Sequence, residues 1–195
     1  MEFPVHDVKA LGNFYLNTLE KIGLKPKFSR YNLDMFICRY GFNHVPIAII
    51  GSNPSQSSPD NTPFHKSTKS RQTIDSWFNN VDFDYRMDFY NIVGYKTHNN
   101  SKLSQRDISQ HLPKIKDRFT SIARTRFLVA VGSDAQRALD AAGVEHFKMP
   151  HPSGLNRFWN NKEAGEAKIQ EMIEWLKNSH SQRVKEYRDL AANPT

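Results

Sequence analysis

The chain has 195 residues, enough for one compact core and short for two ordinary domains, so one domain is expected over residues 1–195 with a charged tail from about 180. Only 38% of the residues are hydrophobic, but they include 13 Phe, 7 Tyr and 3 Trp, bulk that builds a core and excludes disorder throughout. The formal net charge of +7 is spread along the chain and favours a polyanionic partner such as nucleic acid, without identifying one.

The first residues carry no basic stretch leading into an apolar run, and about 18 consecutive apolar residues occur nowhere, so a soluble cytoplasmic protein with no membrane contact is expected. From His6 to Gly23 the residues Val8, Leu11, Tyr15, Leu16, Leu19 and Ile22 fall at helical spacing, with Gly23 as the left-handed stop. Cys38 is the only cysteine, which excludes an intramolecular disulfide and any metal or iron–sulfur site built from several thiolates. Val45 to Ile50 is continuously apolar and rich in branched side chains, as a strand buried on both faces requires.

The stretch Gly51 to Arg71 is rich in Ser, Pro, Asn and Thr and predicts no regular element; loops of that length are usually functional. Two further strands are expected at Met87 to Val93 and Phe127 to Val131, and a short one at Phe147 to Met149. Ser104 caps a helix carrying Ile108, Leu112, Ile115, Phe119 and Ile122, which Pro113 should kink or divide. Ser133 caps a second helix over Asp134 to Ala142, closed by Gly143. A last amphipathic helix from Lys162 to Lys177 buries Ile169, Met172, Ile173 and Leu176. Strands alternating with helices predict an α/β fold, a three-layer α/β/α sandwich around a mostly parallel four-stranded sheet.

In such a sheet ligands bind beyond the carboxyl ends of the strands. Four polar segments fall there: Gly51 to Ser55, Gly94 to Asn100, Gly132 to Asp134, and Pro150 to Arg157. Two of them carry motifs, Gly51-Ser52-Asn53-Pro54 and His151-Pro152-Ser153-Gly154-Leu155-Asn156-Arg157. Either alone is an ordinary turn. Their order and spacing, with Pro63-Phe64 and Asn91 between them, resemble the uracil-DNA glycosylase superfamily from about Ile47 to Arg157.

The resemblance implies a uracil-DNA glycosylase-like sheet, no cofactor, and DNA with a flipped-out base as the partner. No metal ligands and no obligate protein partner are implied. Phe64 would stack on the extruded base, and Asn91, with one acceptor and two donors, would read its pairing edge. His151 would donate to the base carbonyl as negative charge develops on the leaving group. Asn53 would orient the attacking water; an amide cannot take its proton. The matched motifs hold no lysine suited to a Schiff base, so hydrolysis should stop at an abasic site without strand cleavage. Leu155 resembles the wedge that fills the vacated stack, while Lys66, Lys69, Arg71, Ser153 and Arg157 are candidates for phosphate contacts.

Where the uracil-selective branch has a tyrosine crowding carbon 5 of the pyrimidine, this chain has Ser55, which removes that steric bar. Uracil, a damaged or mismatched pyrimidine, and a bulky carbon-5-modified pyrimidine of viral DNA, which would imply antiviral defence, all remain open. The absence of a Gly-x-x-x-x-Gly-Lys loop and of a Gly-x-Gly-x-x-Gly turn after a strand counts against a nucleotide enzyme. A zinc deaminase would need His-x-Glu and Pro-Cys-x-x-Cys ligands, which are absent. A glycosylase-like protein that binds DNA with little or no catalysis is the non-enzymatic alternative.

Overall fold

A computed structural model of the chain describes residues 44–98, 101–153 and 156–192, with side chains as far as 186. The helix expected from His6 to Gly23, Cys38 and Leu155 lie outside the described residues. Four strands, β1 (His44–Gly51), β2 (Asp84–Asn91), β3 (Phe127–Val131) and β4 (Phe147–Met149), form one sheet in the order β2-β1-β3-β4. Every pairing is parallel. The helices are α1 (Lys69–Ser76), α2 (Gln105–Ala123), α3 (Ser133–Ala142) and α4 (Lys162–Ala192), with a 3-10 turn at Arg157–Asn160.

Strand alternation sorts the core onto two faces, giving the expected three layers. Ala48, Ile50, Leu128 and Ala130 point to one side and pack against Ile108, Ile115 and Phe119 of α2 and Ala135, Ala138 and Leu139 of α3. Val45, Ile47, Ile49, Phe127 and Val129 point to the other, against Ile74 of α1 and Met172, Ile173 and Leu176 of α4. The central strands β1, from Val45 on, and β3 therefore carry no polar side chain. Edge strand β2 does, and its pairing with β1, from His44 with Asp84 to Gly51 with Asn91, starts it at Asp84, earlier than the expected Met87, and leaves Ile92 and Val93 beyond its end. Their backbone N–H groups instead donate to Gly51 and Ser52 carbonyls.

Ser104 caps α2 as expected, and Asp107 completes a capping box by accepting from the Ser104 backbone. Pro113 does not divide this helix. Pro113 and Ser109, whose carbonyl loses its i+4 donor, are both exposed, so water can serve that oxygen. Three further expectations need correction. Ser133 is the first residue of α3 and not its cap: Gly132 holds that position, with φ +88° and no side-chain hydrogen bond. The final helix continues past Lys177 to Ala192 because Val184 is buried and Arg183 lies 4.0 Å over the Phe127 ring. Within the polar stretch before Arg71, Thr68 already caps α1 by accepting from the Arg71 backbone N–H.

Candidate active site

The parallel register puts all four strand ends at one edge of the sheet. Gly51 pairs with Asn91, and Val131 with Met149, so the segments after them surround a single cavity of about 400 Å³. Asn53, Ser55, Phe64, Asn91, His151 and Ser153 all line it. These six candidates, spread over a hundred residues of chain, are brought together by topology alone. Lys66 and Arg157 are exposed and outside the lining, and Leu155 is outside the described residues.

Asn91 and Phe64 meet across Gly51. A Cβ at Gly51 would lie 2.9 Å from Asn91 Oδ1 and 2.8 Å from Phe64 Cζ, so glycine is what lets ring and amide approach the same backbone. Phe64 adopts φ +48°, a left-handed conformation uncommon for a bulky residue and often found where a functional site holds strain. Its ring also packs on Phe89, 5.7 Å between centroids. Asn91 is 5% exposed. Its backbone carbonyl accepts from Arg118 Nη1 at 3.1 Å, whereas its side-chain Nδ2 is buried with no partner among the described residues. A buried amide donor left unpaired costs about 1–3 kcal/mol, a deficit that a ligand acceptor in the cavity would remove.

The Asn53 side chain is fixed on three sides. Ser52 Oγ donates to its Oδ1 at 2.7 Å, and its Nδ2 donates to the Pro54 carbonyl at 3.1 Å and to Thr97 Oγ1 at 3.2 Å. Thr97 in turn donates to the Ser101 carbonyl. Both amide hydrogens are thus committed, and the remaining lone pair of Oδ1 is the group available to a water.

His151 is held from three directions. Its carbonyl accepts from Trp159 Nε1 at 2.7 Å and from Asn156 Nδ2 at 3.0 Å; Trp159 stacks on the buried Trp77. Gly132 admits the ring, since a Cβ there would sit 3.1 Å from His151 Cδ2. The Ser153 backbone N–H donates to Nδ1 at 3.2 Å. A backbone N–H can only donate, so Nδ1 accepts and the neutral ring carries its proton on Nε2. Desolvation by the surrounding loops pushes the imidazole below its ordinary pKa range, with the Asp134 carboxylate partly opposing the shift. His151 is therefore a neutral Nε2–H donor near pH 7.

Gly132, Thr97 and Asp134 fall in segments that the sequence places at the strand ends but were given no individual role, and Trp159 was not singled out. Asp134 is buried and joins the cavity walls, accepting from the Leu103 backbone at 2.7 Å and from Arg137 at 2.9 Å. Lys102 also lines the cavity. Arg71, a candidate phosphate contact, is instead paired with Asp75 at 2.9 Å and lies 4.0 Å over the Phe89 ring. Among the described residues no three His, Cys, Asp or Glu side chains converge as a metal site would need, and no helix is long and apolar enough to cross a membrane.

No curated protein and no solved structure matches the chain. A family model described as the Uracil DNA glycosylase superfamily matches residues 38–177, a span that contains all four strands, both motifs and every residue of the cavity lining. With most of its length inside that match, the chain belongs to the uracil DNA glycosylase superfamily.

Proposed function

We propose that this protein is a monofunctional DNA glycosylase of the asparagine-motif type, independent of an iron–sulfur cluster. Family membership supports a DNA-glycosylase type of function. The observation that carries the reading is the Asn91 amide, a buried unpaired donor set against the Phe64 ring. A flat base with an acceptor on its pairing edge satisfies both at once.

In this reading the base leaves the duplex stack and enters between Phe64 and the facing loop, with Asn91 Nδ2 donating to its edge. Water held by Asn53 Oδ1 attacks carbon 1′ of the sugar as the N-glycosidic bond breaks, and the bonding electrons leave with the base. The His151 Nε2–H donates to the base carbonyl as that charge develops. Asn53 cannot accept the water proton, which passes to solvent once the new bond has formed. Leu155 would fill the gap in the stack, and Lys66, Ser153 and Arg157 would contact the backbone.

The test is incubation of purified protein with duplexes carrying uracil, mismatched thymine or carbon-5-modified pyrimidines, followed by alkali to reveal abasic sites. Alkali-dependent cleavage is expected. Cleavage without alkali would show lyase activity and overturn the monofunctional part; DNA binding with no abasic site on any duplex would leave a binding protein instead of an enzyme.

A further inference from the structure

The cavity wall contains a carboxylate that the proposed chemistry does not use. Asp134 lies in the first turn of α3, is 7% exposed, and lines the space together with Asn53, Ser101 and Lys102. Its Oδ2 accepts from the Leu103 backbone N–H at 2.7 Å, and its Oδ1 accepts from Arg137 Nη2 at 2.9 Å. The same Arg137 nitrogen donates to the Leu103 carbonyl at 2.8 Å. Two side chains one turn apart on a helix thus bind both backbone groups of a single residue, as a neighbouring strand would. Helix α3 is a rigid base for this grip, since Ala135, Ala138 and Leu139 are fully buried in the core that also takes the Leu103 side chain.

The start of α2 does not need this pair. It is already set by the capping box on Ser104 and by the burial of Leu103 beside Ile108. Desolvating a carboxylate and a guanidinium often adds little stability on balance, so orientation is the more natural return. Hydrogen bonds show what is oriented. Of the bonds on the Asn53 amide, two go to its sequence neighbours Ser52 and Pro54, and one leaves the motif for Thr97 Oγ1 at 3.2 Å. Thr97 Oγ1 donates to the carbonyl of Ser101, two residues before Leu103, at 2.8 Å. A hydroxyl has one proton. With that proton given to Ser101, Thr97 can only accept from Asn53, which must therefore turn Nδ2 towards Thr97 and keep Oδ1 on the other side.

We infer that Asp134 and Arg137 are positioning residues for Asn53: by tying Leu103 to α3 they fix the Ser101 carbonyl, which orders the Thr97 hydroxyl and through it the amide. The role of Asn53 in holding water rests on the glycosylase reading; the linkage to Asn53 does not.

Two substitutions test the pair. Asp134→Asn keeps the side chain's size but offers one oxygen where Leu103 N–H and Arg137 need two. Arg137→Met removes the donors from a side chain that is 43% exposed, and carries the same test should Asp134→Asn fail to fold. Single-turnover base release is measured on duplexes with uracil, mismatched thymine or a carbon-5-modified pyrimidine, in the unaltered chain and in Asn53→Ala. Each substitution should slow release by about tenfold in the unaltered chain, with duplex affinity unchanged, and by less than about twofold where Asn53 is already gone. In parallel, the side-chain amide NMR signals of Asn53, identified by their loss in Asn53→Ala, should shift in both variants. Equal fold-losses in the two backgrounds, or amide signals that stay in place, would overturn the inference and leave the glycosylase reading intact. If the unaltered protein releases no base from any duplex, the glycosylase reading falls, and the amide signals alone decide the linkage.

Discussion

Gly51→Ala tests whether the base slot depends on the contact between β1 and the two side chains proposed to grip the base. Gly51 has no positive φ, so alanine meets no backbone penalty and the effect is steric. The new methyl carbon would stand 2.8 and 2.9 Å from two carbons of the Phe64 ring and 2.9 Å from Asn91 Oδ1. Since ordinary contact begins near 3.4 Å, ring and amide must each retreat by about half an ångström. Overpacking of this kind costs about 1–3 kcal/mol, which for a chain of this size lowers Tm by roughly 2–10 °C. A misplacement of about 1 Å costs roughly 10²-fold in rate, so single-turnover base release should slow by about 10- to 100-fold when measured well below the lowered Tm. Affinity for abasic-site DNA, which lacks the base, should change little. A release rate within about twofold of the unaltered protein would refute the idea that Phe64 and Asn91 form a slot across Gly51.

Other substitutions probe the remaining groups. His151→Ala should slow base release by about 10²- to 10³-fold, as loss of one donor to a developing anion does elsewhere, with DNA affinity nearly intact; unchanged single-turnover cleavage would remove His151 from the chemistry. Thr97→Val withdraws one acceptor from the Asn53 amide and should reduce the single-turnover rate by about tenfold without weakening DNA binding; equal losses in rate and affinity would point to a general disturbance of the loop. Acid should weaken the fold. Burial lowers the pKa of both His151 and His180, so below about 6.5 the unfolded chain binds protons that the folded chain refuses, and stability falls with pH until the folded pKa values are reached. Urea unfolding across that window checks this, and His151→Gln with His180→Gln should flatten the slope; a slope unaffected by both would assign the acid sensitivity to other groups.

The strands were legible because β3 and β1 after His44 are buried on both faces and so carry no polar residue to blur the pattern. At the edge, β2 alternates exposed and partly buried residues only over Asp84 to Met87, where the exposed charges Asp84 and Arg86 hid its start. The last half of α4 was missed because the stripe Ile173, Leu176, His180, Val184 passes through a histidine packed on the Phe127 ring, a contact with an aromatic partner that local sequence does not reveal. Ser133 looked like a cap by residue type alone. What decides that turn is the approach of His151 to Gly132, a constraint from a residue far along the chain. The same holds for the site: its motif residues stood out in the sequence, whereas Thr97 and Trp159, which fix the side chain of one motif and the backbone of the other, act through hydrogen bonds that only the folded chain brings together.

The electrostatics of the cavity bear on how such a site would work. Asn53, Asn91, His65 and His151 present amides and imidazoles, and among the described residues the only carboxylate in the lining, Asp134, already accepts from the Leu103 backbone and Arg137. In the proposed mechanism the described residues therefore place no strong general base beside the water, and little catalysis would come from deprotonating it early. The fixed donors point instead to stabilisation of the leaving base: His151 is locked with Nε2–H outward, and Asn91 offers an unpaired N–H. Preorganised donors of this kind act on negative charge as it forms and need no rearrangement at that moment. A site so biased favours a transition state in which bond breaking runs ahead of water attack. Its rate should then depend more on how well the base bears negative charge than on the nucleophile. In the proposed mechanism substrate choice and catalysis would thereby be linked, because Asn91, which would read the base edge, would also help His151 to stabilise its departure.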